Sequence, residues 1–159
     1  YLRLDKGRAE SGSREGEKFI LGQSRRLREG RDLCFIATGA ILSEALKAAD
    51  VLAGDGISVR VIAMHTVKPL DAPAVAAAAR ECGGIVTVEE HNIMGGLGGA
   101  VAEACLDAGA APRLFLRIGL ADRYPTVVGD QDYLRAQYGM DAKAIVARTR
   151  AAIESKAAQ

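Results

Sequence analysis

Apolar positions along the chain alternate between short continuous runs and helical stripes. Leu33 to Ala37 (LCFIA) is an unbroken apolar run ending at Thr38-Gly39, the pattern of a strand buried on both faces. Ile41, Leu42, Ala45, Leu46, Ala49 and Leu52 then recur at helical spacing and stop at Gly54-Asp55-Gly56. Ile57 to Met64 (ISVRVIAM) predicts a second strand, and Lys68-Pro69-Leu70-Asp71 a turn. Asp71 is the expected N-cap of a helix running to about Cys82, with Pro73 tolerated in its first turn because the missing amide hydrogen would be unpaired there. Ile85 to Val88 predicts a third strand, Val101, Ala104, Cys105 and Ala108 a helix, and Arg113 to Ile118 (RLFLRI) a fourth strand. Two helices close the pattern, near Gln131 to Tyr138 and Ala142 to Ala157; Asp141 caps the second, and Thr149 interrupts its stripe of Ile145, Val146, Ala152 and Ile153.

The start of the chain reads differently. Tyr1 to Leu4 alternates like a strand but stands alone, and one strand cannot bury its own face, so it is expected to be the last strand of a preceding domain. Asp5 to Lys18 (DKGRAESGSREGEK) is almost wholly charged, Gly or Ser; it cannot bury enough apolar area to offset its ordering entropy and reads as a flexible linker. Order is expected to resume at Phe19, with a short amphipathic turn through Glu29. Strands this apolar, alternating with helices, predict a three-layer α/β/α fold around a mostly parallel sheet of about five strands, with the domain running over residues 19–159.

Composition narrows the function classes. The 159 residues carry a formal net charge of +1, which argues against a nucleic-acid partner or an anionic membrane surface. The longest apolar runs are far shorter than a membrane span and no signal-peptide pattern is present. Cys34, Cys82 and Cys105 are an odd number of thiols among apolar neighbours, which fits buried thiols in a reducing compartment, by default the cytoplasm.

In a parallel α/β sheet functional loops gather at the carboxyl ends of the strands. Three qualify: Thr38-Gly39-Ala40, His65 to Asp71, and Glu89 to Gly99. The last is the richest, since Glu89, Glu90, His91 and Asn92 are followed by Gly95-Gly96-Leu97-Gly98-Gly99. Such glycines permit tight turns and close approach, and they open a helix whose free amides are suited to an anion. The spacing is not that of a dinucleotide fingerprint, and glycines at a strand-to-helix turn also serve plain packing against another domain or subunit. Glu89, Glu90 and His91 are candidates for an acid/base group, although sequence neighbours at a strand end face opposite ways, which favours a loop-fixing role. No Cys, His or carboxylate spacing matches a metal site, and no nucleophile elbow is present. Arg3 on the first strand is read as exposed, with phosphate binding the alternative.

Several of these segments together resemble the transketolase C-terminal domain: Phe35-Ile36-Ala37-Thr38-Gly39, Val67-Lys68-Pro69-Leu70-Asp71, Val86 to His91, Gly95-Gly96-Leu97-Gly98, Gly119 to Tyr124, and Tyr138-Gly139-Met140. The likeness covers Phe19 to Ile153 in order. The Glu-Glu-His form with GGLGG is most similar to the small second subunit of split bacterial transketolases; deoxyxylulose-phosphate synthase and 2-oxoacid dehydrogenase beta subunits share the domain type. The resemblance implies a full enzyme that uses thiamine diphosphate and a divalent metal to move a two-carbon ketol unit between sugar phosphates. It places the cofactor's pyrophosphate and the metal on an N-terminal domain and the activating glutamate on a middle domain, both of which would be the partners of this chain, in an enzyme that forms homo-oligomers. It implies no cofactor and no catalytic residue in this domain, aligns Arg3 with an arginine facing the substrate phosphate, and leaves Glu89, Glu90, His91, Gly95, Gly96, Gly98 and Asp122 as an interface or anion loop.

Overall fold

The computed structural model describes residues 16–158. The expected strand at Tyr1 to Leu4 with Arg3, and linker residues 5–15, therefore lie outside the described residues. Ten elements follow: β1 (Arg25–Arg28), β2 (Leu33–Thr38), α1 (Leu42–Gly54), β3 (Val59–Ala63), α2 (Ala72–Glu81), β4 (Ile85–Asn92), α3 (Leu97–Asp107), β5 (Phe115–Leu120), α4 (Gln131–Gln137) and α5 (Ala142–Ala157). One five-stranded sheet has the order β1-β3-β2-β4-β5. β2 pairs in parallel with both β3 and β4, and β5 extends the parallel set beyond β4. The expected α/β architecture is present.

Side-chain alternation along the strands divides the core in two. Leu33, Phe35, Ala37, Val61, Val86, Val88 and Ile118 meet α1 and α5 on one face. Cys34, Ile36, Ile62, Met64 and Ile85 meet Val75, Ala78, Leu97 and Val101 of α2 and α3 on the other. The chain moves from β2 outward to β3 through α1, then returns past β2 to β4 through α2, so these helices fall on opposite faces when both crossovers are right-handed. Alanines carry much of the helix contact: Ala45, Ala48 and Ala49 of α1 are fully buried, as is Ala78 of α2. Small side chains let each helix lie close to a sheet that has few aromatics to fill a wider gap.

One element departs from the expectation. The segment before Glu29, expected as an amphipathic turn, is the edge strand β1, antiparallel to β3 with Arg25 opposite Ala63 and Arg26 opposite Ile62. Its sequence, RRLR, is what a protected edge uses, because charged side chains discourage pairing with another chain. β4 also runs four residues past its expected end at Val88, and α3 begins at Leu97.

The segment leading into β1 is held at the carboxyl edge of the sheet. The backbone N–H and the hydroxyl of Ser24 donate to Oδ2 of Asp71 at 2.7 and 2.8 Å. The other oxygen, Oδ1, accepts from the Ala74 amide at 3.2 Å and so caps α2 as the sequence predicts. Burial pushes the Asp71 carboxyl upward, but the Ser24 and Ala74 donors outweigh it and hold the group below its ordinary value. Of the linker, residues 16–18 are described; Glu17 accepts from Arg25 Nε at 2.8 Å.

Asp71→Ala is expected to lower the unfolding free energy by about 1–2 kcal/mol in urea titrations, the upper part of the range for a lost cap. The unfolded chain binds the Asp71 proton more tightly, so this contribution is full above the ordinary value of 3.8 and fades as pH falls through the folded-state value. The stability difference between the native chain and Asp71→Asn should therefore narrow in acid; a constant difference would remove this assignment.

Candidate functional site

The three carboxyl-end loops meet where the strand order reverses. In the register, Thr38 of β2 stands opposite Glu89 of β4, so the crevice between these strands is the place where open α/β sheets receive ligands. In this chain a side chain of the protein fills it. Glu89 is 1% exposed, and its Oε2 and Oε1 accept from the amides of Leu97 at 2.7 Å and Gly98 at 2.8 Å, the first two residues of α3. The residue that would normally cap this helix, Gly96, has no side chain, and the carboxylate arriving from β4 takes that role. Hydrogen bonds to a charged group are worth about 1.5–3 kcal/mol each, and a helix start adds up to about 2 kcal/mol in buried geometry. Together they offset the several kcal/mol that burying a lone charge costs.

The glycines follow from this arrangement. Gly95 has φ +73, a left-handed conformation that other residues adopt with strain. A Cβ on Gly96 would lie 2.1 Å from Glu89 Oε2 and 2.5 Å from the Asn92 carbonyl oxygen. A Cβ on Gly98 would lie 2.7 Å from the Arg117 side chain of β5 and 2.8 Å from Thr87 Oγ1 of β4. Gly99 faces open space.

Glu90 points to the opposite face and accepts from Arg135 of α4 through Nε at 2.8 Å and Nη2 at 3.2 Å. Gln131 Nε2 donates to both of its oxygens at 3.1 Å. Burial works against the charge on Arg135, and the Glu90 contact more than restores it. His91 is exposed, with Nδ1 3.2 Å from its neighbour's carbonyl oxygen at Asn92. The three candidates for an acid/base group thus point to three places, and the structure does not bring them together.

Asp122 is exposed at φ +42, and its Oδ1 accepts from Asn92 Nδ2 at 2.8 Å, while Asn92 Oδ1 accepts from the Met94 amide at 2.8 Å. The β4 and β5 loops are thereby tied. His65, expected to be structural or interfacial, has Nε2 3.2 Å from the Ile20 carbonyl oxygen and packs edge-on against Phe19. Outside Gly95, Gly96 and Gly99, α2 and α3 bound an open groove of about 780 Å³ that also carries Arg80, Glu103 and Asp107. Sequence reasoning missed Arg135, which lies three residues from Asp132 and reads as half of a solvated surface pair.

Glu89 fills the start of α3, and among the described residues no cluster of three or more His, Cys, Asp or Glu could hold a metal. No helix among them is long and apolar enough to cross a membrane.

Gly96→Ala is expected to destabilise the fold by at least about 2 kcal/mol through the clash with Glu89, whereas Gly99→Ala should stabilise it by about 0.5–1 kcal/mol as an unobstructed helix substitution. Thermal unfolding of the two variants checks both signs; equal effects would contradict the geometry.

Comparison with known proteins agrees with this geometry. Residues 22–145 match the family model described as Transketolase, C-terminal domain. The chain is 42% identical over 156 residues to a 6-deoxy-6-sulfo-D-fructose transketolase subunit of Clostridium sp. (strain MSTE9), covering 98% of this chain and 48% of that subunit. It is 46% identical over 134 residues to 1-deoxy-D-xylulose-5-phosphate synthase of Syntrophotalea carbinolica, covering 84% of this chain and 21% of the synthase. A solved split-gene transketolase, described as an inactive beta4 tetramer, superposes with a TM-score of 0.84 at 32% identity, over 93% of this chain and 48% of that one. The chain thus spans about half the length of its transketolase relatives, in the part that carries this fold. With the match running from the β1 approach into α5, the chain belongs to the transketolase C-terminal domain family.

Proposed function

We propose that this chain is the non-catalytic C-terminal domain of a thiamine-diphosphate-dependent transketolase of the split type, supporting assembly of an enzyme that transfers a two-carbon ketol unit between sugar phosphates. The observation that carries the non-catalytic role is the engagement of both carboxylates near the carboxyl end of β4: Glu89 caps α3 and Glu90 holds α4. Turning either toward a substrate would release the helix it anchors. The cofactor, the metal and the activating chemistry then belong to the N-terminal and middle domains, on this chain's own polypeptide or on a partner subunit. Residues 1–4 would be the last strand of the middle domain, with Arg3 toward the substrate phosphate, and residues 5–18 the linker.

The interface role rests on what the loops leave outward. His91 and Asp122 are exposed, and Gly95, four residues beyond His91, lines the groove between α2 and α3. A homo-oligomeric enzyme would use this face for domain or subunit contact. The cytoplasm is the proposed compartment, consistent with three buried cysteines, all free.

The synthase is a second reading, favoured by an identity to this chain slightly above that of the split transketolase subunit. Supplying the missing domains from a split transketolase should restore ketol transfer from a pentose phosphate, while the chain alone shows none. If the reconstituted enzyme turns over only pyruvate with glyceraldehyde phosphate, the synthase reading replaces the first. Turnover by the isolated chain would overturn the non-catalytic role.

A further inference from the structure

At the amino edge of the sheet, away from the loops described above, a buried guanidinium stands beside two thiols. Cys34 of β2 and Arg60 of β3 are direct partners in the parallel register, so their side chains share one face of the sheet. Cys82, the C-cap of α2, reaches the same place, because the turn after it is bonded to the β2 segment: Gly83 N–H donates to the Arg31 carbonyl at 2.9 Å and Cys34 N–H to the Gly84 carbonyl at 2.8 Å. Both thiols belong to the buried cluster on that face, where Cys82 Sγ donates to the Gly30 carbonyl oxygen at 3.7 Å and Cys34 Sγ to that of Phe35 at 3.9 Å. Arg60 is 4% exposed; its Nη2 pairs with Glu81 Oε2 at 2.8 Å, while Nε and Nη1 are buried with no acceptor among the described residues.

A guanidinium with two buried N–H groups lacking acceptors, set beside thiols, is an arrangement that a thiolate would complete. We propose that Cys82 and Cys34 form a peroxide-sensitive dithiol, Cys82 being the reacting thiolate, Cys34 the resolving thiol and Arg60 the positioning cation. Cys82 is 5% exposed and Cys34 fully buried, which sets the order of attack for an oxidant as small as hydrogen peroxide. The neighbouring Cys34 thiol and the Arg60 charge outweigh burial and lower the Cys82 thiol to about 7, whereas the Cys82 thiol beside it and burial hold Cys34 well above the usual thiol range.

The chemistry closes without a further reactant. The Cys82 thiolate attacks one peroxide oxygen, the O–O bond breaks, and the hydroxide released takes a proton to become water, leaving Cys82 as a sulfenic acid. Cys34 gives up its proton as its sulfur attacks Cys82 Sγ; the S–S bond forms and the sulfenic hydroxyl leaves as water. Two thiols are oxidised to one disulfide and one peroxide is reduced to two waters. Cys105, raised by burial, serves as an internal control.

The test treats the native chain with hydrogen peroxide, then alkylates under denaturing conditions and maps the peptides by mass. The expected result is a Cys34–Cys82 cross-link with the mass lowered by about 2 Da, while Cys105 remains alkylated. Cys34→Ala should instead leave Cys82 as a sulfenic acid captured by a cyclic 1,3-dione. Arg60→Met should slow the loss of the Cys82 thiol on the order of ten-fold; should that variant not fold, Cys34→Ala decides alone. Oxidation of Cys82 no faster than that of Cys105, or no Cys34–Cys82 cross-link in the native chain, overturns the proposal.

Discussion

The buried carboxylate of Glu89 at the start of α3 is the contact on which the carboxyl edge of this domain depends. Open parallel sheets leave a crevice where the strand order reverses, and the nearby helix N-terminus leaves unpaired amides that favour an anion. Many folds complete that site with a ligand. This chain completes it with its own side chain, two residues beyond Thr87 on the same face of β4 and directly opposite Thr38. Gly96 makes room for the carboxylate, Gly98 lets the first turn of α3 settle between Thr87 and Arg117, and Gly95 supplies the reversal. A motif with the look of an anion cradle is thus an anion cradle already filled.

The same device recurs across the molecule. Glu90 anchors α4 through Arg135, and Glu44 of α1 accepts from the Ala142 amide at 2.8 Å, fixing the start of α5 against α1. Asp71 ties the segment before β1 to the start of α2. In each case a carboxylate satisfies backbone or guanidinium donors at a helix boundary, where propensity alone does not set orientation. Apolar packing brings the layers together, and these acidic contacts set the angles and registers of the connecting segments. A domain organised this way commits the carboxylates at its switch point to holding helices.

The two ends of the sheet have different physical characters. The carboxyl edge carries the glycine-rich turn, exposed His91 and Asp122, and an open groove beside α2 and α3. The amino edge is closed, and its unusual feature is buried: a guanidinium with N–H groups lacking acceptors against a pair of thiols. The turn and its polar side chains lie in the open, whereas the thiols are buried, where a nearby cation is what favours a thiolate.

Much of this was determined by the sequence itself. The apolar runs at Leu33 and Ile57, the stripes of α1 and α5, and the caps at Asp71 and Asp141 are local patterns, readable because period and cap chemistry act over a few residues. The motifs around Phe35, Pro69, Glu89 and Gly96 were sufficient to identify the family. β1 was not legible, because an edge strand coded as RRLR shows charge rather than alternation. Nor did composition reveal that Glu89 and Glu90 serve different helices, that Arg135 is buried, or that Cys34, Cys82 and Arg60 are neighbours. Those relations join residues between 8 and 48 positions apart, and they exist only once strand register and crossover direction bring distant segments onto one face of the sheet.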